Sequence, residues 1–280
     1  MNVHQKQLKA DAKRPIDVNA YLTGKAFIKS EAVLLEKALV LANSLPAHGV
    51  KDYLFVGGVP LRHYISEKYK GRMGSGICMT DVDIAMPALP LSIKDLCKEE
   101  NVVKPKILLR QGMHGQVTKI IPQKGVGTVF HLKEMYEHAF PIFYDVCFFE
   151  SQVGRIQLSA DDYAKAVVQQ IEYATKEANY LIELKFPDLG LLLATLLTPQ
   201  AITETRARRA TFALLSNSLD IEAITHRLVD VAKRNDMKEA ELQEVFNFFY
   251  HVATRHAESL VKDFFAILIE AGIPKSVFRI

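Results

Sequence analysis

Two aspartates, Asp81 and Asp83, stand one residue apart in TDVDIAMP, Thr80 to Pro87, a run that is otherwise strand-like and apolar. In a strand, residues i and i+2 share a face, about 7 Å apart along the chain. Two like charges facing a core are costly unless something neutralises them. A divalent ion does so directly, and oxygen donors suit magnesium. The alternative is a strand end at the surface with both carboxylates in water. A bare D-x-D is short enough to arise by chance, so its surroundings decide between the two.

Those surroundings hold further chemistry. Tyr53 to Val56 is a short apolar run, read as a buried strand, that stops at Gly57-Gly58. Pro60 then suits the start of a helix through Leu61, Tyr64 and Ile65 to about Tyr69. Glycines at such a corner permit unusual backbone angles and close approach of a phosphate, and a helix N-terminus offers free N–H donors. Asp145 is a single carboxylate inside a later apolar strand, IFYDVCFF. On a neighbouring strand it would complete a two-metal site, with ions about 4 Å apart. Cys147, two residues on, is expected as a small packing residue at the edge of that site.

The elements that must position these groups follow from periodicity. Residues 1–50 read as an irregular lead-in and a helix from Ser30 to about Leu45. Residues 51–155 read as an α/β module: the Tyr53 strand, the Pro60 helix, a basic glycine-rich connection, the D-x-D strand and a short helix capped by Ser92 and Asp95. Strands at Ile107–Arg110, Gln116–Ile121 and Ile142–Phe149 complete it. Residues 156–280 read as a helical domain. Ser159 and Asp162 suggest a capping pair, and Tyr163, Val167, Ile171, Ala174, Ala178 and Leu181 fall at helical spacing. The aromatic run FNFFYHV, Phe246 to Val252, reads as helix core, and Gly272 as a helix stop.

Composition excludes several classes. The 280 residues are 49% hydrophobic and 24% charged, as in a globular protein with a substantial core. The formal charge of +3 leans basic in the first half, which suits an anionic ligand such as nucleotide or RNA. Three cysteines, Cys78, Cys97 and Cys147, have no metal-like spacing and an odd number, which argues for a reducing, cytoplasmic setting. The polar N-terminus is no signal peptide, and the Leu189–Leu197 patch is too short for a membrane span.

The ordered series of Gly57-Gly58, Asp81-x-Asp83 and Asp145 resembles the nucleotidyltransferase superfamily with the DNA polymerase beta type of palm. It is closer to the CCA-adding enzymes and bacterial poly(A) polymerases. MHGQVTKII, Met113 to Ile121, is similar to their HG-x-V-T segment, and the likeness spans about residues 53 to 150. It implies a mixed-sheet palm followed by a helical domain, and two Mg2+ ions held by Asp81, Asp83 and Asp145. It also implies NTP bound at Gly57, Gly58 and Arg62, and transfer of a nucleoside monophosphate to an RNA 3′ end, most simply tRNA. TRARRATFALLS resembles the base-reading helix of that family, with Arg208 and Arg209 as its arginines and Ala210 where the family has aspartate. The abortive-infection nucleotidyltransferase toxins share the first three motifs. That likeness implies modification of tRNA or a protein, with an antitoxin partner. A palm that binds nucleotide or RNA without catalysis is the third reading, and a homo-oligomer fits any of the three.

Overall fold

The computed structural model describes residues 31–70, 81–88, 116–123, 127–136, 140–174, 179–199 and 202–278. It is a mixed α/β chain with a small mixed sheet and a helical C-terminal region. The fold separates into two compact units that alternate along the chain. The first comprises the described residues within Met1–Val59, Met79–Ser151 and Ala166–Phe186. The second comprises those within Pro60–Cys78, Gln152–Lys165 and Pro187–Ile280.

In the first unit, helix α1 (Glu31–Ser44) matches the expected amphipathic segment, with Leu34, Leu35, Ala38, Leu39 and Leu41 buried. The sheet is built from β1 (Leu54–Val56), β2 (Val82–Met86), β3 (Gln116–Gln123), β4 (Gly127–Tyr136) and β5 (Phe140–Glu150) in the order β1-β2-β5-β4-β3. β2 runs antiparallel to β1 and parallel to β5. Sequence alone placed the strands of Tyr53, Asp83 and Asp145, but not their order. The helix expected from Ser92 and the strand expected at Ile107–Arg110 lie outside the described residues.

One expectation is corrected. The segment read as helical from Tyr163 to Leu181 is only briefly helical, in α4 (Ala160–Ala164) of the second unit. It then becomes a two-stranded hairpin of the first unit, β8 (Val167–Ala174) and β9 (Asn179–Phe186). A spacing of four fits both a helix and a strand face, so Val167 and Ile171 do not discriminate between them. The β-branched content of VVQQIEY and the alternation of Ile182, Leu184 and Phe186, all at most 3% exposed, carry the strand signal. Tyr53 Oη donates to Glu183 O at 2.8 Å and Lys185 Nζ to Lys51 O at 2.9 Å, tying β9 to the start of β1.

The second unit opens with α2, which begins at Gly58 (Gly58–Tyr64), and α3 (Glu67–Lys70). The short ladder of β6 (Gln152–Val153) and β7 (Ile156–Gln157) precedes α4. Helices α5 (Leu189–Leu196), α6 (Glu204–Ser216), α7 (Ile221–Arg234) and α8 (Glu239–Glu270) form its body. Phe246, Phe249 and Val252 are buried in α8, so one face of the aromatic run is core, while Phe248 is exposed. α8 breaks at Ala257, where the backbone leaves helical angles.

Asp162 is the keystone of this unit. The expected capping box is present: Asp162 N donates to Ser159 Oγ, and Asp162 Oδ2 accepts from Ser159 N at 2.6 Å. The same carboxylate, fully buried, takes Arg227 Nη2 at 2.6 Å on one oxygen and Arg234 Nη2 at 2.7 Å on the other. Arg227 Nε reaches on to Asp188, which caps α5. A buried carboxylate is costly unless paired and hydrogen-bonded, and here both oxygens are. Next to it, α5 meets α7 at Gly190, where a Cβ would lie 2.6 Å from Arg227 Cβ and 2.7 Å from Ile224 O.

Two outcomes follow. Gly190→Ala should cost about 1–3 kcal/mol, because the Ile224 carbonyl is backbone and cannot swing aside; the urea midpoint reads this. Asp162→Ala should cost about 1–3 kcal/mol, since it removes two charge-assisted hydrogen bonds while Arg227 keeps Asp188 and Arg234 keeps Ser159. Burial pushes the Asp162 carboxyl up, but the Ser159 N–H and the Arg234 guanidinium more than reverse this, leaving it below its ordinary 3.8. A depressed folded value means the stabilisation is complete above the unfolded value and is lost as pH falls below it. Acid unfolding below about pH 3.8 should therefore be shallower in Asp162→Asn than in the parent.

Candidate functional site

β2 carries the two aspartates as the strand period requires. Val82 and Ile84 are 0% exposed, while Asp83 between them, and Asp81 just before the strand, are half-buried. The parallel ladder pairs Val82 with Val146 and Asp83 with Cys147. On the other side, the antiparallel ladder pairs Asp83 with Val56, the last residue of β1. The end of β2 is anchored to the end of β5: Ser151 N donates to Met86 O at 2.8 Å and Ser151 Oγ to Pro87 O at 2.6 Å. A one-residue slip would exchange the two faces of β2, so these ladders decide where the carboxylates point.

The result is a cluster. One ligand atom each from Asp81, Asp83 and Cys147 lies within 4.8 Å of the others. Gly57 closes it from β1. Its φ is +65°, and a Cβ built there would stand 2.3 Å from Asp83 Oδ2. The backbone angle favours glycine, and a side chain here would push the Asp83 carboxylate aside. Gly58 is buried and begins α2, two residues earlier than Pro60 suggested.

The other expected site residues are distributed as follows. Asp145 lies in β5, its backbone paired with His131; its side chain is outside the described set. Asp81 and Asp145 each immediately precede the first pair of the parallel ladder, Val82 with Val146. Arg62 is on α2, and Arg208 and Arg209 are half-buried on α6, all within the second unit. Ala210 is 0% exposed, so an aspartate there would be buried in the helical core. His114 and the glycine-rich connection before Asp81 lie outside the described residues.

Sequence reasoning underrated Cys147. It is 9% exposed, as a packing residue would be, but its neighbours include two carboxylates. The available signal was its i+2 relation to Asp145; what was missing was the register of β5 on β2. A separate cavity of about 320 Å3, lined in part by Tyr53, Lys51 and Lys185, opens at the other end of β1 and includes none of these donors.

The donor set fits a divalent cation. Two carboxylates on adjacent same-face positions supply hard oxygens, and Gly57 leaves room for the Asp83 group to lie flat against the backbone. No family model matches the chain, and no curated protein matches it. Among the described residues, no helix is long and apolar enough to cross a membrane.

Gly57→Ala should lower stability by about 1–3 kcal/mol, through left-handed strain and displacement of Asp83. Gly57→Ala should also weaken Mn2+ binding at least about tenfold, whereas Gly49→Ala, which has a positive φ but nothing within 4 Å of its Cβ, should leave it unchanged. Manganese paramagnetic resonance on both variants separates the strain from the carboxylate contact.

Proposed function

We propose that this chain is a metal-dependent nucleotidyltransferase that moves a nucleoside monophosphate from an NTP to an acceptor hydroxyl. The observation that carries the reading is the convergence of Asp81 and Asp83 beside Gly57 on a mixed sheet. The order strand, Gly-Gly, helix, D-x-D strand, later Asp strand is the order of the palm that the sequence resembles.

Asp81 and Asp83 would hold magnesium, with Asp145 as the third carboxylate. When bound, the ions supply charge neutralisation for the triphosphate and acidify the attacking hydroxyl. The protein's own part is placement. The ladders of β2 would fix the backbone of Asp83, with Asp81 two residues before it, so the two carboxylates start close together. The Gly57-Gly58 corner would take the triphosphate. The acceptor oxygen attacks the α-phosphorus, the bond to the β-phosphate oxygen breaks, pyrophosphate leaves and the hydroxyl proton passes to water. Positioning and electrostatics account for most of the acceleration in this reaction class. By the same resemblance, the acceptor is an RNA 3′ end, with tRNA the simplest candidate.

The test is incubation with each α-phosphate-labelled NTP, Mg2+ and total RNA. Label should enter RNA, and Asp81→Asn or Asp83→Asn should cut the rate at least about a hundredfold with folding retained. Label in protein instead of RNA would favour a toxin-like modifier. No label in either, with any NTP, would sink the enzyme reading.

A further inference from the structure

The thiol of Cys147 gives the carboxylate site a feature that the oxygen-only reading does not use. Its donor atom stands with one oxygen of Asp81 and one of Asp83, all within 4.8 Å of each other. This is imposed by the backbone: Cys147 is the direct ladder partner of Asp83, and Ser151 holds the strand ends in that register. Donors around one tetrahedral ion stand roughly 3.3–3.6 Å apart, given Zn–S near 2.3 Å and Zn–O near 2.0–2.2 Å. A thiolate is a soft donor that magnesium does not seek and that zinc and cadmium do. Magnesium also demands near-octahedral oxygen geometry and keeps several waters, which a sulfur at this position does not assist.

We infer that Cys147 is a third donor at the Asp81–Asp83 site and turns it toward thiophilic divalent cations, zinc above all. The inference rests on reading these carboxylates as a metal site and adds the thiol beside them. On coordination the thiol proton leaves to water, and two carboxylates and one thiolate surround a dication with room for a water as fourth ligand. Zinc then competes with magnesium for the same two aspartates.

The experiment uses the full chain with Cys78→Ser and Cys97→Ser, which leaves Cys147 as its only thiol. Cadmium is titrated as the spectroscopic probe, and zinc and Mn2+ affinities are measured alongside. The expected result is a thiolate-to-cadmium charge-transfer band that saturates at a single bound ion and is abolished by adding Cys147→Ser or Cys147→Ala. Zinc affinity should fall at least about tenfold in the serine variant, while Mn2+ affinity changes by less than about twofold. Asp83→Asn should weaken both ions. No band in the chain whose only thiol is Cys147 overturns the inference, as does a band whose cadmium affinity is untouched by Asp83→Asn. Mn2+ binding without a thiolate band leaves the carboxylate site standing and removes Cys147 from it. A thiolate band that depends on Asp83, in a protein that transfers no label from any NTP, supports the mixed-donor site and removes the transferase reading.

Discussion

The register of β2 between β1 and β5 is the constraint on which the functional reading depends. Asp83 is paired on one side with Val56 and on the other with Cys147. Because side chains alternate along a strand, that double pairing puts Val82 and Ile84 into the core and turns Asp83 to the other face, while Asp81, just before the strand, joins it through its side chain. It also brings the Gly57 corner against Asp83 and the Cys147 thiol beside it. Ser151, with two hydrogen bonds to the end of β2, holds the register where β5 would otherwise be free to slide. The apolar residues of β2 thus do two jobs: they bury the strand, and in doing so they aim the carboxylates.

The second unit deals with a buried carboxylate in a different way. Asp162 is fully enclosed and structural. Two guanidinium groups and a backbone N–H supply the interactions that water would have given it, and Arg227 extends the network to the cap of α5. The close approach of α5 and α7 at Gly190 leaves no space for a methyl group. Here charge closes a helical core around itself. At Asp81 and Asp83 the residues stay half-exposed and beside a thiol, an arrangement suited to accepting an ion.

Cys147 places one sulfur donor beside the two carboxylates. A wholly oxygen donor set serves magnesium and the two-metal chemistry of phosphoryl transfer. One sulfur in the set shifts the balance between cations without removing the oxygens.

Much of this was legible in the sequence. The D-x-D strand, the Gly57-Gly58 stop, the strand of Asp145, the α1 helix and the Ser159–Asp162 cap are all local patterns, set by strand alternation, glycine freedom and capping geometry. The β8–β9 hairpin was misread because residues spaced by four satisfy both periods; the β-branched run and the alternation in β9 point to strand, and the pairing of Ile171 with Ile182 fixes it. The buried Ala210 and the keystone role of Asp162 emerged only from packing. The sequence by itself determined which residues could hold a cation and which strands would carry them. Tertiary structure alone decided that Cys147 joins Asp81 and Asp83 and that Gly57 presses on Asp83. Those contacts arise from the lateral order β1-β2-β5, and strand order depends on long-range pairing that no local pattern encodes.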